Sequence, residues 1–118
     1  KLDFDRLQTV KKENGIPMVL HGASSVPQEK IDEANKYGAK IEGAKGVPFK
    51  ILEESVKYGI NKVNTDTDLR ITFTASVRKL LAETPDVIDP RKIFKPAIED
   101  LKEVIKPRKR SLSSSNKA

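Results

Sequence analysis

The apolar residues of the chain occur in two kinds of segment: short continuous runs, and longer stretches with helical spacing. The runs at 16–20 and 60–64 predict two buried strands. Residues 39–48 carry two glycines, a proline and mixed charges, and we predict a surface loop there. Apolar positions three or four residues apart predict helices over 2–12, 25–37, 49–58, 65–84 and 90–106.

Prolines and capping residues predict where these helices begin and end. Ser25 is expected to be the N-cap of the second helix, with Pro27 in its first turn and Gln28 closing a capping box. Pro107 is expected to end the last helix. The buried stripe of the helix over 65–84 is expected to consist of Leu69, Phe73, Val77, Leu80 and Leu81.

The order of the elements predicts an α/β fold with parallel strands. Strands alternate with helices, as in the β/α units of a parallel sheet. Two parallel strands alone would leave both sheet edges unpaired and their apolar faces uncovered. We therefore expect the chain to be part of a larger α/β sheet or barrel.

Composition and charge limit the classes of function. The chain has 118 residues, enough for one domain at most, and no cysteine, which excludes disulfides and thiolate metal ligands within it. No apolar run is long enough to span a membrane. Lys106, Arg108, Lys109, Arg110 and Lys117 contribute much of the net charge of +6. Because no aromatic residues accompany these charges, we expect a solvated, flexible tail over 107–118 rather than a nucleic-acid site.

The only histidine, His21, directly follows the first predicted strand. Parallel α/β folds place their functional residues at the carboxyl ends of strands. An isolated histidine is more often structural than a metal ligand, and a zinc site needs at least three protein groups. If His21 binds zinc, the other ligands must come from a segment outside this sequence.

Two segments that follow the predicted strands are suited to bind phosphate. Residues 22–25 form a turn of small residues whose backbone N–H groups can approach a phosphate, although an ordinary turn explains them equally well. After the second strand, Asn64 precedes Asp66 and Thr67 at a helix start, where the amides can receive phosphate or the residues can simply cap the helix. Arg70, one turn later, offers a free guanidinium for a second phosphate or is merely solvated.

Two motifs at these positions, VLHGASSVP from residue 19 and NTDTDLR from residue 64, resemble the class II, metal-dependent fructose-bisphosphate aldolases. The resemblance covers residues 1–105 and extends to the related tagatose-bisphosphate aldolases. It implies a (β/α)8 TIM barrel of which this chain is the C-terminal portion, with the last two strands and the surrounding helices. In domain terms, residues 1–106 would belong to that barrel and 107–118 would be the basic, serine-rich tail.

The resemblance implies a role for each residue of the first motif. His21 corresponds to one of three zinc-binding histidines. Gly22, Ala23 and Ser24 correspond to the loop that binds the phosphate of dihydroxyacetone phosphate. The backbone carbonyls of Gly22 and Ser24 correspond to ligands of a monovalent cation, sodium or potassium.

The resemblance assigns further substrate-binding residues. Asn64 corresponds to a residue that hydrogen-bonds the triose part of the substrate. Asp66 and Thr67 correspond to the second phosphate loop, and Arg70 to a group near the far phosphate of the bisphosphate. Arg91 corresponds to an arginine that is contributed to the active site of a neighbouring subunit.

The activity implied is that of a lyase of glycolysis and gluconeogenesis, which cleaves fructose 1,6-bisphosphate to dihydroxyacetone phosphate and glyceraldehyde 3-phosphate, or forms it. Zinc acts as a Lewis acid on the ketone. The catalytic aspartate and the other zinc histidines belong to the N-terminal part of the same barrel, so this chain alone is expected to be inactive. The resemblance also implies a cytoplasmic homodimer or homotetramer.

Three alternatives stay open at this point. Tagatose 1,6-bisphosphate differs from the fructose ester at one stereocentre, and nothing in the sequence discriminates between the two substrates. A relative that keeps the barrel but has lost the metal would show the same motifs. A basic module that binds nucleic acid through the C-terminal charges is disfavoured, and it predicts a steep salt dependence of binding.

Overall fold

The computed structural model describes residues 2–117 of the chain, so that Lys1 and Ala118, the ends of the predicted domain ranges, lie outside the described residues. The helices and strands occur in the order that the sequence predicts. In chain order the elements are α1 Phe4–Asn14, β1 Met18–Leu20, α2 Gln28–Lys36, α3 Phe49–Lys57, β2 Ile60–Val63, α4 Thr67–Glu83 and α5 Pro90–Ser111.

Strands β1 and β2 form a parallel two-stranded sheet, which confirms the predicted α/β class. Leu20 pairs with Val63 at the carboxyl ends of the two strands. The N–H of Asn64 then donates to the carbonyl of Leu20 at 3.0 Å, which continues the pairing one residue further. Because the strands are parallel, the residues that follow both of them lie at the same edge of the sheet.

Small residues mediate the packing of α4 against α2 and α5. Ala34, Ala75 and Ala97 are fully buried at these contacts, as is Thr72, and side chains of this size allow close approach of the helices. The predicted stripe of large apolar residues on α4 is wrong, since Phe73 stays 38% exposed. The sequence periodicity predicts burial of the face that carries the large apolar side chains. The structure instead buries the face that carries smaller residues.

The start of α2 differs from the prediction. Its N-cap is Pro27, without a side-chain hydrogen bond, so Ser25 does not cap the helix. The Ser25 hydroxyl donates instead to the Asp68 carboxylate at 3.0 Å. Val26 has a φ of 46°, a left-handed conformation that cannot continue a helix. The contact with Asp68 therefore overrides the local capping signal.

The end of α5 also differs from the prediction. The helix continues through Pro107 to Ser111, so our prediction that Pro107 ends it is wrong. Proline removes one backbone donor and crowds the preceding turn. The side chain of Arg108 is buried and hydrogen-bonded, and these contacts hold the turn that proline weakens. The flexibility predicted for residues 107–118 stays a prediction, but Arg108 does not belong to a solvated terminus.

The loop over 39–48 contains no helix or strand, as predicted, yet it packs closely on the segment after β1. The Val47 N–H donates to the Ser24 carbonyl at 2.7 Å. Gly46 approaches so closely that a Cβ atom there would lie 1.9 Å from the carbonyl oxygen of Ser25. Ile41 and Ala44 pack against the small apolar cluster of Val26, Ile31 and Ile71.

The molecule is a flat slab of 58 × 34 × 19 Å with a radius of gyration of 17.2 Å. A compact domain of this length would have a radius of gyration of about 13.5 Å. Its surface of 8359 Å² also exceeds the roughly 6,400 Å² expected of a compact 13.2 kDa monomer. None of the helices within residues 2–117 is both long and apolar enough to cross a membrane.

Candidate functional site

The site begins at the carboxyl ends of the two strands. His21 directly follows β1 and Asn64 directly follows β2, so the parallel pairing brings the two residues side by side. The Asn64 Nδ2 amide and the His21 Nδ1 atom lie 3.2 Å apart. The His21 side chain is exposed, which leaves the rest of the imidazole open to a ligand.

The imidazole of His21 fits the role of one metal ligand among several. Within residues 2–117, no group of three histidine, cysteine or acidic side chains is placed to hold a metal ion. With Nδ2 of Asn64 as the near atom, Nδ1 of His21 accepts the hydrogen bond. A metal bound to Nδ1 would compete with that hydrogen bond. A metal bound to Nε2 would instead require a proton on Nδ1, and Nδ1 would then donate to Oδ1 of a reoriented Asn64 amide. Either mode of binding changes the contact between these two residues.

The segment after His21 turns back toward α4 through Gly22, whose φ of 63° is readily adopted only without a side chain. The Ser24 hydroxyl then accepts hydrogen bonds from the N–H groups of Thr67 at 3.1 Å and Asp66 at 3.4 Å. Ser24 therefore caps α4 from a different part of the chain. A phosphate that uses the amides of Asp66 and Thr67 must share them with this hydroxyl or displace it.

Asp68, in the first turn of α4, lies between this helix and the segment that follows β1, and it is fully buried. Its carboxylate accepts hydrogen bonds from the Ser25 N–H at 3.1 Å and the Val26 N–H at 2.6 Å. It also forms a buried ion pair with Arg108. The sequence predicts no role for Asp68 and places Arg108 in a solvated tail. Asp68 stands inside the NTDTDLR motif, but no sequence signal pairs it with an arginine forty positions later.

Arg70 does not present a free guanidinium, contrary to the prediction. Its Nε donates to the Asp66 carboxylate at 2.8 Å, and this contact raises the pKa of Arg70 above its ordinary value. Both side chains are largely exposed, so solvent weakens the pair and a phosphate could compete for the arginine. The role predicted for Arg70 stays a prediction.

Arg91 lies apart from the other predicted site residues, at the start of α5. Its guanidinium is paired with Asp89 at 2.9 Å, which lowers the pKa of Asp89 and raises that of Arg91. The side chain is 90% exposed and borders a separate groove with Phe94 and Ile98. The guanidinium is thus held by Asp89 of its own chain while most of the side chain is exposed to solvent.

An open groove of about 490 Å³ runs from the strand ends to the loop over 39–48. His21, Gly22 and Ala23 line one side of the groove, and Gly46 and Val47 line another. The groove thus lies directly beside the segment for which phosphate binding is predicted. The Gly22 and Ser24 carbonyls predicted to bind a monovalent cation are close by, although the Ser24 carbonyl already accepts the N–H of Val47.

Comparison with known proteins connects this geometry to a family. A sequence model described as fructose-bisphosphate aldolase class-II matches residues 1–117. The chain belongs to the class-II fructose-bisphosphate aldolase family. This assignment confirms the resemblance inferred from the two motifs, which in this aldolase-family chain follow the two paired strands.

Individual relatives agree with the aldolase assignment. The chain is 54% identical to a fructose-bisphosphate aldolase of Helicobacter pylori strain J99 and 43% identical to that of Thermus caldophilus, in each case over 99% of its length. A fructose-bisphosphate aldolase of Giardia intestinalis is 36% identical over the whole chain. The chain spans 38% of the length of the first two relatives and 36% of the third.

Proposed function

We propose that the chain forms part of an enzyme that cleaves fructose 1,6-bisphosphate to dihydroxyacetone phosphate and glyceraldehyde 3-phosphate, or condenses them. The observation that carries the proposal is the contact between His21 and Asn64 at the carboxyl ends of neighbouring parallel strands. In parallel α/β folds this edge of the sheet holds the active site. The family assignment supports an aldolase reaction as the chemistry at this edge of the sheet.

The architecture proposed is a closed (β/α)8 TIM barrel in which β1 and β2 are the last two strands. Both strands have unpaired edges within the described residues, and Val19 on β1 is 44% exposed. The surface in excess of a compact monomer supports a missing partner for these faces. We propose that the N-terminal part of the same barrel covers them and contributes the catalytic aspartate and two further zinc histidines.

Within that barrel, His21 would hold zinc and Asn64 would bind the triose part of the substrate. When bound, zinc supplies Lewis acid chemistry toward the substrate carbonyl. Residues 22–24 would bind phosphate through the backbone N–H groups of their turn. Asp66 and Thr67 would bind phosphate through backbone N–H groups at the N-terminus of α4. Fixing both ends of the sugar aligns the bond to be cleaved.

Three further parts of the proposal come from the family resemblance. The carbonyls of Gly22 and Ser24 would bind sodium or potassium. Arg70 would contact the far phosphate, and Arg91 would reach the active site of a neighbouring copy in a homodimer or homotetramer. The exposure of the Arg91 side chain is compatible with a contact to a second subunit. A cytoplasmic location also stays a prediction.

The test is a cleavage assay on the complete zinc-loaded enzyme, with fructose 1,6-bisphosphate and tagatose 1,6-bisphosphate as separate substrates. We expect triose phosphate release from the fructose ester, abolished by a chelator and restored by zinc. The 118-residue chain alone is expected to be inactive. Cleavage of the tagatose ester alone would contradict the substrate proposed, and activity that a chelator leaves intact would contradict the metal.

A further inference from the structure

The guanidinium of Arg108 links the last turn of α5 to the segment that follows β1. Its Nη1 donates to the Ala23 carbonyl at 3.0 Å, and its Nη2 donates to the Ser25 hydroxyl at 3.0 Å and to Asp68. The residue is only 6% exposed, although it lies in the most basic stretch of the chain. Its neighbours Lys109 and Arg110 are exposed, so burial singles out this one charge.

The carboxylate of Asp68 connects the same arginine to the backbone of that segment. It accepts the N–H groups of Ser25 and Val26, two successive residues. Val26 is β-branched and has a φ of 46°, a conformation that costs free energy and persists only when its surroundings enforce it. Asp68 and Arg108 supply that enforcement, since they hold the carbonyl of Ala23 and the amides of Ser25 and Val26.

A buried ion pair of this kind is a poor source of stability. The loss of hydration of both charges largely offsets their attraction, so apolar residues of similar size would serve stability as well. One buried atom, the Nε of Arg108, has no hydrogen-bond partner among residues 2–117, which adds to the cost. What the pair does provide is geometry, because a planar guanidinium bonds three groups in fixed directions.

We propose that Arg108, acting with Asp68, is a positioning residue that fixes the backbone of residues 23–26 in the conformation that binds the substrate's phosphate ester. The inference rests on the proposed function, since it concerns the loop of residues 22–24 that is proposed there to bind phosphate. It places a determinant of substrate affinity on the C-terminal helix, in a side chain that does not touch the substrate.

The test compares Arg108→Lys with Arg110→Lys in the complete zinc-loaded enzyme. Lysine keeps the charge beside Asp68 but loses the planar fork, so the loop loses its fixed geometry. Loss of one charge-assisted hydrogen bond predicts a rise of about tenfold in KM for fructose 1,6-bisphosphate. Because the phosphate contacts are made in the ground state as well as in the transition state, KM should change more than kcat. Arg110→Lys, on the exposed face of the same turn, should change neither constant.

A second measurement needs no turnover. The dissociation constant of inorganic phosphate, measured by calorimetry, should rise by a similar factor in Arg108→Lys and stay constant in Arg110→Lys. If the wild-type protein fails to cleave fructose 1,6-bisphosphate, the proposed function fails, and the phosphate measurement still decides the role of Arg108. An unchanged dissociation constant with a lowered thermal midpoint would overturn the positioning role, because Arg108 would then be purely structural.

A third variant covers the case in which Arg108→Lys does not fold. Ser25→Ala removes the hydroxyl that bonds both Arg108 and Asp68 and leaves the ion pair in place. We expect it to weaken phosphate binding in the same direction, by a smaller factor. Wild-type affinity for phosphate in Ser25→Ala, together with unfolding of Arg108→Lys, would overturn the proposal.

Discussion

Asp66 and Asp68 are two positions apart in the same motif, and the structure gives them opposite surroundings. Asp66 is exposed and pairs with Arg70 in solvent. Asp68 is fully buried and accepts hydrogen bonds from two backbone amides, the Ser25 hydroxyl and Arg108. The ion pair of Asp66 therefore contributes little to the free energy of unfolding. Removal of the Asp68 carboxylate, in contrast, leaves the buried Arg108 without its counter-charge.

Substitution of Asp68 by asparagine should lower the free energy of unfolding by about 3 kcal/mol, because it leaves Arg108 charged and buried. Urea denaturation of the complete protein measures this change. Asp66→Asn is the matched control, and it should have little effect since its pair is solvated. Equal effects of the two substitutions would show that the buried ion pair has no special weight.

The functional role of a single residue could be predicted from the sequence only where the residue belongs to a local motif. His21 and Asn64 could be placed at strand ends because the strands themselves were predicted, and the structure brings them into contact. Arg108 could not be found, since its partners lie 40 to 85 positions away and the local pattern indicates a basic tail. Long-range ion pairs leave no periodic signal in a sequence.

Among the elements, the loop over 39–48 makes a close backbone contact that its sequence does not predict. Its glycines and charges predict a surface loop, and the structure adds a close backbone contact between Gly46 and Ser25. This contact leaves no room for a side chain. The loop therefore contacts the backbone of residues 24 and 25 directly, in addition to the contacts that Arg108 makes there.

Gly46→Ala should lower the free energy of unfolding by about 2 kcal/mol, as expected when a methyl group is forced into a packed site. Gly43→Ala, in the same loop, has open space around the new Cβ and a φ of 66°, so it should cost only about 1 kcal/mol of backbone strain. Thermal and urea unfolding would measure both. A larger loss for Gly43→Ala would contradict the packing described for this loop.

Helices α2 and α4 are also joined by charge. Glu33 on α2 contacts Lys30 at 2.7 Å and Lys79 on α4 at 3.3 Å. The hydrogen bond from Lys30, followed by the attraction of both lysines, lowers the pKa of Glu33 below its ordinary value of 4.5. A carboxyl group with a lowered pKa in the folded state stabilises the fold above its unfolded pKa, and the contribution disappears as the pH falls through the folded pKa.

Glu33→Gln should therefore reduce stability at neutral pH and flatten the decline of the unfolding free energy as the pH falls below about 4.5. Urea denaturation at a series of pH values is the measurement. Glu42→Gln removes an exposed glutamate that makes no ion pair among residues 2–117 and should leave the profile unchanged. Parallel profiles for wild type and Glu33→Gln would contradict the assigned contact.

The sequence predicted the type of each helix and strand better than the residues at which it begins and ends. Both strands and all the helices occur where the apolar pattern places them. The errors are at Ser25, whose hydroxyl bonds Asp68 instead of capping α2, and at Pro107, which lies inside α5. In each case a tertiary contact outweighs a local preference of about 1 to 3 kcal/mol.

The whole molecule is flatter and more exposed than a self-contained domain of its length. Its only sheet within residues 2–117 has two strands, and large apolar side chains such as Ile16 and Ile88 are 62% and 89% exposed. These features agree with a chain that spans 38% of the length of its Helicobacter pylori relative. The presence of only two predicted strands predicts that the sheet continues in further strands, and the closed barrel stays a proposal.

The central claim is that His21 is one ligand of a zinc site completed by other parts of an aldolase barrel. The most direct measurement is the zinc content of the complete protein and of its His21→Ala variant after extensive dialysis. We predict about one zinc ion per active site in the wild type and little or none in the variant, since three protein ligands are needed for tight binding. Equal zinc contents in the two proteins, or no zinc in the wild type after reconstitution, would contradict the account.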